Sequence, residues 1–320
     1  YNIKDMEFRI KNNVFTGEIL RKKDRSGFET SVALNTQNFN IKDVIKRIKD
    51  TDGYVDFLLK IVRDIPYNIY LNAKNISEYN GNNYKDVIFD LKNSTNPGSF
   101  KFKLKKHDYE IDLNSEISNS NMFDGTIKIS NYQIPNDIMN NELLNLVSGT
   151  LNANIKFKTN GMNAYQLLSN LSGNYSVDIL NGKISGISDY STILANILKL
   201  ANITTNNVIY TLENSLKSGS MEFPKLSVEG EISSADVKDS AFNLSLPNMN
   251  ISGMLSGNLI QKSLNIESIF DISNLAPDNL VFSYDLKGFV NNLTGKVDTT
   301  SITSKINPVY LLRKKKEILQ

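Results

Sequence analysis

The residue types that most often carry out catalysis or bind metals are rare in this chain. Its 320 residues include no cysteine and a single histidine. Without cysteine, disulfides, thiolate nucleophiles, zinc–cysteine sites and iron–sulfur clusters are all excluded. The histidine, His107, lies among lysines and acids in KLKKHDYEIDL, which is typical of an exposed strand residue and not of a metal site or a serine triad.

Paired carboxylates and short catalytic motifs do not supply a site either. Asp50 and Asp52 form one pair, and Glu229 and Glu231 form another, but neither has a partner pattern for acid–base chemistry. The chain contains no phosphate loop, dinucleotide fingerprint, HExxH or GxSxG motif. We therefore expect no enzymatic activity, no metal and no cofactor.

Charge is nearly balanced, with 36 basic and 34 acidic side chains, so we expect no nucleic-acid partner. Two basic clusters stand out, one on the polar face of a predicted strand and one in a terminal run: Lys101, Lys103, Lys105 and Lys106, then Arg313, Lys314, Lys315 and Lys316. Either cluster can contact anionic lipid headgroups. More often, such charges only solvate a face or protect an edge strand.

Period-two alternation of apolar and polar residues is the dominant pattern, and it predicts strands with one apolar face. Examples are the apolar sets Tyr67, Ile69, Leu71 and Ala73; Phe100, Phe102 and Leu104; Tyr109, Ile111 and Leu113. Turn-forming sequences separate these runs about every ten residues, which indicates an antiparallel meander. Roughly fifteen strands at about 4.8 Å spacing would make a sheet on the order of 70 Å long, which must curl. The predicted fold is mainly β with a few short helices, a long curled antiparallel sheet forming an open groove.

Helical spacing interrupts the strands at five places: a broken pair at 40–65, then 163–173, 188–203, 206–219 and a terminal segment at 307–320. We divide the chain into a strand-rich part with the helix pair at 1–145, a second region at 146–302 and a basic tail at 303–320. No run of about 18 apolar residues occurs. Because the chain begins at Tyr1, we expect that an anchor or export signal precedes it.

The stretch NLSGNYSVDILNGKISGISD, residues 170–189, combines these signals. A helix is predicted to stop at Gly173, and a strand at 174–180 is predicted to reverse at Asn181–Gly182 in a type I′ turn. The return strand at 183–187 would lead into a helix capped at Ser188 or Asp189. This order resembles the C-terminal region of the AsmA family, in which L-x-G, an alternating strand, x-G-x-x-x-G-x-D and a helix follow one another. The matching residues are Leu171, Gly173, Asn181, Gly182, Ile184, Gly186 and Ile187, with Asp189 one position late.

The resemblance covers about 146–299, with Asn292, Leu293 and Thr294 in place of the proline near the end of the family pattern. It implies a protein on the periplasmic side of the inner membrane of a Gram-negative bacterium, held by an N-terminal helix that would precede this chain. It further implies an apolar β-groove, a part in phospholipid transport between the inner and outer membranes, and a part in outer-membrane biogenesis. The partners implied are phospholipid, the inner membrane and outer-membrane proteins.

The predicted strands have more apolar surface than the few short helices can cover, so the remainder must close a barrel, pack as a sandwich core, or face a ligand. With the resemblance, the groove is predicted to be lined by Leu151, Ala153, Ile155, Phe157, Tyr175, Val177, Ile179, Phe242, Leu244 and Leu246. A different function stays open: a scaffold that presents strand edges to outer-membrane proteins without conducting lipid.

Overall fold

A computed structural model describes residues 1–24, 27–40, 68–77, 83–92, 98–106, 109–118, 122–134, 147–273, 275–290 and 292–319. The predicted helix pair, His107, Asp50 and Asp52 lie outside these described residues, as does the predicted domain boundary at 145/146.

Strands dominate the described residues, as the alternation predicts. The first eight are β1 (Asn2–Ile10), β2 (Asn13–Asp24), β3 (Gly27–Asn40), β4 (Asn68–Ser77), β5 (Asn83–Lys92), β6 (Gly98–Lys106), β7 (Tyr109–Ile117) and β8 (Met122–Ile134). The next eight are β9 (Val147–Asn160), β10 (Ser172–Ser185), β11 (Ser220–Ser233), β12 (Asp236–Leu246), β13 (Met249–Asn258), β14 (Ser263–Ile272), β15 (Leu280–Phe289) and β16 (Asn292–Val297).

These sixteen strands of the described residues form one sheet in which each strand is hydrogen-bonded to its sequence neighbours, from β1 to β16. Among the described strands, the order does not return from β16 to β1, so the sheet is open. The mainly β fold with an open, long sheet and short helices is thereby confirmed.

One strand pair departs from the meander. All the pairs with a described register are antiparallel except β3 and β4, which run parallel, with Leu34 opposite Leu71. Parallel neighbours cannot be joined by a tight hairpin, and a long connection is required. Residues 41–67 provide that connection here, which is why the alternation alone did not reveal the change of direction.

The contacts divide the chain into two compact units. Unit 1 comprises Tyr1–Tyr132, Asn152–Tyr175 and Ile232–Ala235, and unit 2 comprises Gln133–Leu151, Ser176–Glu231 and Asp236–Gln320. Unit 1 contains nearly all of β1–β8. Unit 2 contains β13–β16 and most of the helices.

Five helices occur in the described residues: α1 (Ala164–Ser169), α2 (Tyr190–Leu198), α3 (Thr205–Ser215), α4 (Thr299–Thr303) and α5 (Pro308–Leu319). Four of them match predicted segments, and α4, at five residues, was too short for its periodicity to be visible. None of these helices is long and apolar enough to cross a membrane.

Side-chain caps fix where two of the helices begin. Asn163 Oδ1 accepts a hydrogen bond from the Gln166 backbone N–H at 2.9 Å, which caps α1. Asp189 caps α2, as predicted, by accepting from the Ser191 hydroxyl at 2.6 Å and from the Thr192 N–H at 2.8 Å. These hydrogen bonds, that of Ser191 first, lower the pKa of Asp189 below its ordinary value.

In unit 2 the helices pack on one face of the sheet. The buried cluster there has 22 apolar side chains, with contributions from α2 to α5 and from β11 to β16. Phe270 and Phe282 stack at its centre with ring centroids 5.4 Å apart. The buried Tyr284 donates its hydroxyl hydrogen to the Leu216 carbonyl, the C-cap of α3, at 3.1 Å, and burial raises the pKa of Tyr284.

The predicted hairpin at Asn181–Gly182 is wrong, because β10 runs without interruption from Ser172 to Ser185. A type I′ turn requires positive φ at both central residues, and only Asn181 has it, at 48°. Gly182 has a different role. A Cβ there would overlap the ring of Phe223 and lie 2.6 Å from the Ser148 carbonyl oxygen, so close packing requires glycine.

The Gly173 stop is also corrected, since α1 ends at Ser169 with Asn170 as its C-cap. Gly173 lies in β10 with φ of 154°. A Cβ at this position would lie 2.9 Å from the Cα of Phe157 on the neighbouring strand. The glycine therefore serves a close approach between strands, and not a helix end.

Gly182→Ala tests this packing role. We expect it to lower the free energy of unfolding by about 1–3 kcal/mol, because the added methyl group must displace the Phe223 ring. Chemical denaturation of G182A, F223L and the double variant measures the effect. Leucine relieves the overlap with the ring, although not the approach to the Ser148 carbonyl oxygen, so the double variant is expected to be more stable than the two single losses imply. Strictly additive losses would contradict the proposed contact.

Candidate functional site

The apolar residues of unit 1 form a continuous row across eight strands. Residues directly opposite one another on paired strands lie on the same face of the sheet. Following the register from β1 to β8 gives one such row, here called the apolar row: Met6, Gly17, Leu34, Leu71, Phe89, Phe102, Leu113 and Ile127. No polar side chain interrupts it.

A second row lies beside the first on the same face, two residues away along each strand. It consists of Ile19, Val32, Ile69, Leu91 and Phe100, on β2 to β6. Phe89 of the apolar row meets Phe100 of the second row edge to face, with ring centroids 5.3 Å apart. The two rows together make an apolar band, named here the unit 1 apolar face.

Most of the unit 1 apolar face is not sealed within the described residues. Every member of the apolar row is only half-buried. The described buried clusters in this unit contain two and three apolar side chains, against 22 in unit 2. The one helix described in unit 1, α1, buries none of its residues. The unit 1 apolar face therefore keeps apolar surface to which a ligand can bind.

On β6 and β7 the opposite face is charged, and several of its charges are paired. Lys103 forms an ion pair with Glu110, and Lys105 Nζ lies 3.5 Å from the same carboxylate. Asp90 and Asn114 flank Lys101 in the register. This pattern favours the interpretation in which the lysines solvate a face, because their charge is largely balanced by neighbouring strands.

Hydrogen bonding between Lys103 and Glu110 shifts both groups away from their ordinary values. It lowers the pKa of Glu110 and raises the pKa of Lys103, because each partner stabilises the charged form of the other. Both side chains are partly exposed, so solvent screening keeps the energy of the pair small.

The ten residues predicted to line a groove separate into two groups. Ile179, Phe242, Leu244 and Leu246 pack in or against the buried cluster of unit 2, and Leu244 is only 2% exposed. For these four, the structure favours the alternative of an ordinary packed core, because α2 to α5 cover that face. The other six lie on the neighbouring strands β9 and β10 outside that cluster, and their groove role stays a prediction: Leu151, Ala153, Ile155, Phe157, Tyr175 and Val177.

Three residues of the apolar row, Leu71, Phe102 and Leu113, were predicted from the sequence to lie on apolar strand faces, but the row as one surface was not predicted. Alternation shows which residues of a strand share a face, whereas it does not show which residues of two strands are opposite one another. The parallel pairing of β3 with β4 in particular brings Leu34 beside Leu71. Only the register shows that the apolar residues of β1–β3 and those of β4–β8 lie on one face.

Other groups with possible chemistry are dispersed. Glu229 accepts a hydrogen bond from the Ser176 hydroxyl at 3.4 Å, and Asp178 accepts from the Ser227 hydroxyl at 2.6 Å and pairs with Lys225 at 3.1 Å. Across the ranges that the structure describes, no group of three or more acidic or histidine side chains is placed to hold a metal ion.

No known protein family, curated protein or solved structure matches this chain. The likeness to the AsmA family, which depends on the order of glycines and strands, consequently stays a prediction.

The Lys103–Glu110 pair predicts a pH-dependent contribution to stability. Because the pKa of Glu110 is lowered by folding, its contribution is present above the ordinary carboxyl value of 4.5 and is lost as pH falls through the lowered value. We expect Glu110→Gln to reduce the free energy of unfolding by about 0.5 kcal/mol at neutral pH. The difference from the parent protein should vanish in acid.

Glu116→Gln is the matched control on the same strand, since Glu116 is exposed and faces Asp124 across the register. Removal of that like-charge neighbour should not destabilise the protein. Urea denaturation of both variants at a series of pH values, from 7 downward until Glu110 is protonated in the folded protein, measures the effect. A loss for E110Q that stays equal across the whole series would show that the ion pair is not its cause.

Proposed function

We propose that this protein binds phospholipid acyl chains on the unit 1 apolar face and carries phospholipid between the two membranes of a bacterial cell envelope. The observation that carries the proposal is the apolar row, which crosses eight strands while its members stay half-buried. The location that we propose, the periplasmic side of the inner membrane, comes from the resemblance to the AsmA family. With that resemblance we also propose contacts with outer-membrane proteins, and neither enzymatic activity nor a cofactor.

The dimensions of the apolar row suit an acyl chain. Eight strands at about 4.8 Å spacing give a row of about 34 Å. One acyl chain extends through about half of a hydrocarbon core that is about 30 Å thick. The row is therefore long enough to hold an extended chain along its whole length.

The energy that such a surface provides is large. Moving an acyl chain through water costs about 0.8 kcal/mol per CH₂, or roughly 12 kcal/mol for a sixteen-carbon chain. Apolar contact removes about 25 cal/mol for each Å² taken from water. The partly exposed leucine, isoleucine and phenylalanine side chains of the apolar row can offset part of that barrier, although Leu91 of the second row is itself fully buried.

The alternative function, strand addition to outer-membrane proteins, has less support. Of the described strands, β1 and β16 are the two at the ends of the order. The register of β1 is broken by a bulge between Ile3 and Met6, where Asp5 has φ of 54°. β16 is only six residues long and contains Lys296. Bulges, charges and short length are features by which edge strands avoid pairing with other chains.

Ile127→Lys tests the acyl-chain site. Ile127 lies in the apolar row on β8, so we expect a lysine there to place a charge against the bound chain and to weaken binding of a fluorescent fatty acid at least tenfold. Transfer of phosphatidylglycerol between donor and acceptor vesicles should fall in parallel. Thr126→Lys, on the exposed opposite face of β8, is the control and should leave both unchanged.

Thermal unfolding of both variants distinguishes loss of binding from loss of folding. A well-folded I127K protein that binds fatty acid as tightly as the parent would contradict the assignment of the apolar row. Ile155→Lys extends the test to β9. Ile155 is one of the predicted groove residues, but it is not a member of the apolar row. Normal transfer by a folded I155K protein would remove that position from the path.

A further inference from the structure

The terminal helix α5 has two faces with different environments. Leu311 is fully buried in the unit 2 core, and Lys315 Nζ donates to the Leu200 carbonyl at 3.0 Å, so one face holds the helix against α2. On the opposite face Val309 is 73% exposed and Leu312 is 44% exposed. Val309, Leu312 and Lys316 follow i, i+3, i+7 spacing, which places them on one stripe, here called the outer stripe.

Helix α5 has an excess of positive charge. Helix α5 contains Arg313, Lys314, Lys315 and Lys316 against one carboxylate, Glu317. Arg313 and Glu317 are 3.8 Å apart and both are well exposed, so their pairing is weak and screened by solvent. Two further lysines are exposed: Lys305, which shortly precedes α5 in the sequence, and Lys199, which precedes Leu200, the residue whose carbonyl Lys315 contacts.

We propose that the outer stripe of α5 docks on the surface of an anionic lipid bilayer. Apolar side chains aligned on one helix face and flanked by lysine and arginine are the combination that binds to the boundary between headgroups and acyl chains. Lysine and arginine supply charge complementarity to anionic lipid, whereas Val309 and Leu312 supply the apolar part. An acidic protein partner would bind through the cations alone. The exposure of Val309 and Leu312 would then have no role.

The docking does not require α5 to leave the protein. Leu311 and the hydrogen bond of Lys315 hold the inner face, while the outer stripe is already exposed. This inference is independent of the acyl-chain site, because it uses unit 2 residues only. It adds a membrane contact to a protein for which we propose lipid transport.

Co-sedimentation of the full chain with vesicles tests the proposal. We expect binding to vesicles that contain phosphatidylglycerol, little binding to vesicles of phosphatidylcholine alone, and a decline in binding as salt is raised. The double variant Val309→Ser, Leu312→Ser and the charge reversal Lys316→Glu should each weaken binding on the order of tenfold. All three positions are exposed, so the fold should be retained.

Matched controls change similar side chains elsewhere. Tyr210→Ser removes an exposed aromatic ring, 67% accessible, from α3, and Lys238→Glu reverses an exposed charge on β12. Both should bind like the parent. Equal binding to neutral and anionic vesicles, or α5 variants that bind like the parent, would overturn the proposal. Capture of soluble polyglutamate with the same affinity, unaffected by the serine changes, would assign the helix to an acidic protein instead.

The acyl-chain site and the membrane docking of α5 can be tested independently of each other. The α5 variants should bind fluorescent fatty acid normally in the absence of vesicles, and Ile127→Lys should still sediment with anionic vesicles. Loss of fatty-acid binding in I127K with vesicle binding intact is the expected pattern. Loss of vesicle binding in I127K would contradict the assignment of membrane contact to α5.

Discussion

An extended sheet whose strands alternate apolar and polar residues has one apolar face, and water makes that face unfavourable until something covers it. This constraint accounts for the difference between the two units. In unit 2 the chain provides its own cover, since α2 to α5 place Ile193, Leu212 and Leu311 against the sheet. In unit 1, as far as the described residues extend, the corresponding face stays half-buried, and we propose that acyl chains cover it.

The cover of unit 2 is held in place by polar contacts as well as by packing. The chain leaving β10 is tied to the end of α3, because Ser188 donates its backbone N–H to the Ser215 carbonyl and its hydroxyl hydrogen to the Ser218 carbonyl, both at 2.9 Å. From the sheet side, Tyr284 reaches the Leu216 carbonyl. These bonds satisfy the carbonyl of Ser215, the last residue of α3, and the carbonyls of Leu216 and Ser218, which follow it.

The fold class and most of the strands and helices could be predicted from the sequence. The physical reasons for this also explain the predictions that were wrong. Period-two alternation and side-chain caps are local signals, so the strands and the start of α2 at Asp189 were predicted correctly. Glycine is ambiguous by comparison, because it permits positive φ and also permits close packing. At Gly182 and Gly173 the second reason applies, and the predicted turn and helix stop were therefore wrong.

The candidate site was less accessible to sequence reasoning, because it depends on register. Phe102 and Leu113 were recognised as apolar strand residues, yet only pairing shows that they lie in one row with Leu34 and Leu71. Leu244 was predicted to line a groove, because its strand shows the same alternation. Helices that are distant in the sequence cover its face instead. Tertiary packing decides which apolar faces stay uncovered. The two-residue alternation of apolar and polar residues does not reveal it.

Photo-crosslinking with a phosphatidylglycerol that has a diazirine in its acyl tail tests the central claim most directly. After irradiation of the full chain, adducts are mapped by peptide mass spectrometry. The account predicts adducts on the apolar row, at Phe89, Phe102 and Leu113, and none on Phe270 or Phe282 in the sealed core of unit 2. Adducts confined to the charged face of β6 and β7, or an unlabelled apolar row, would contradict it.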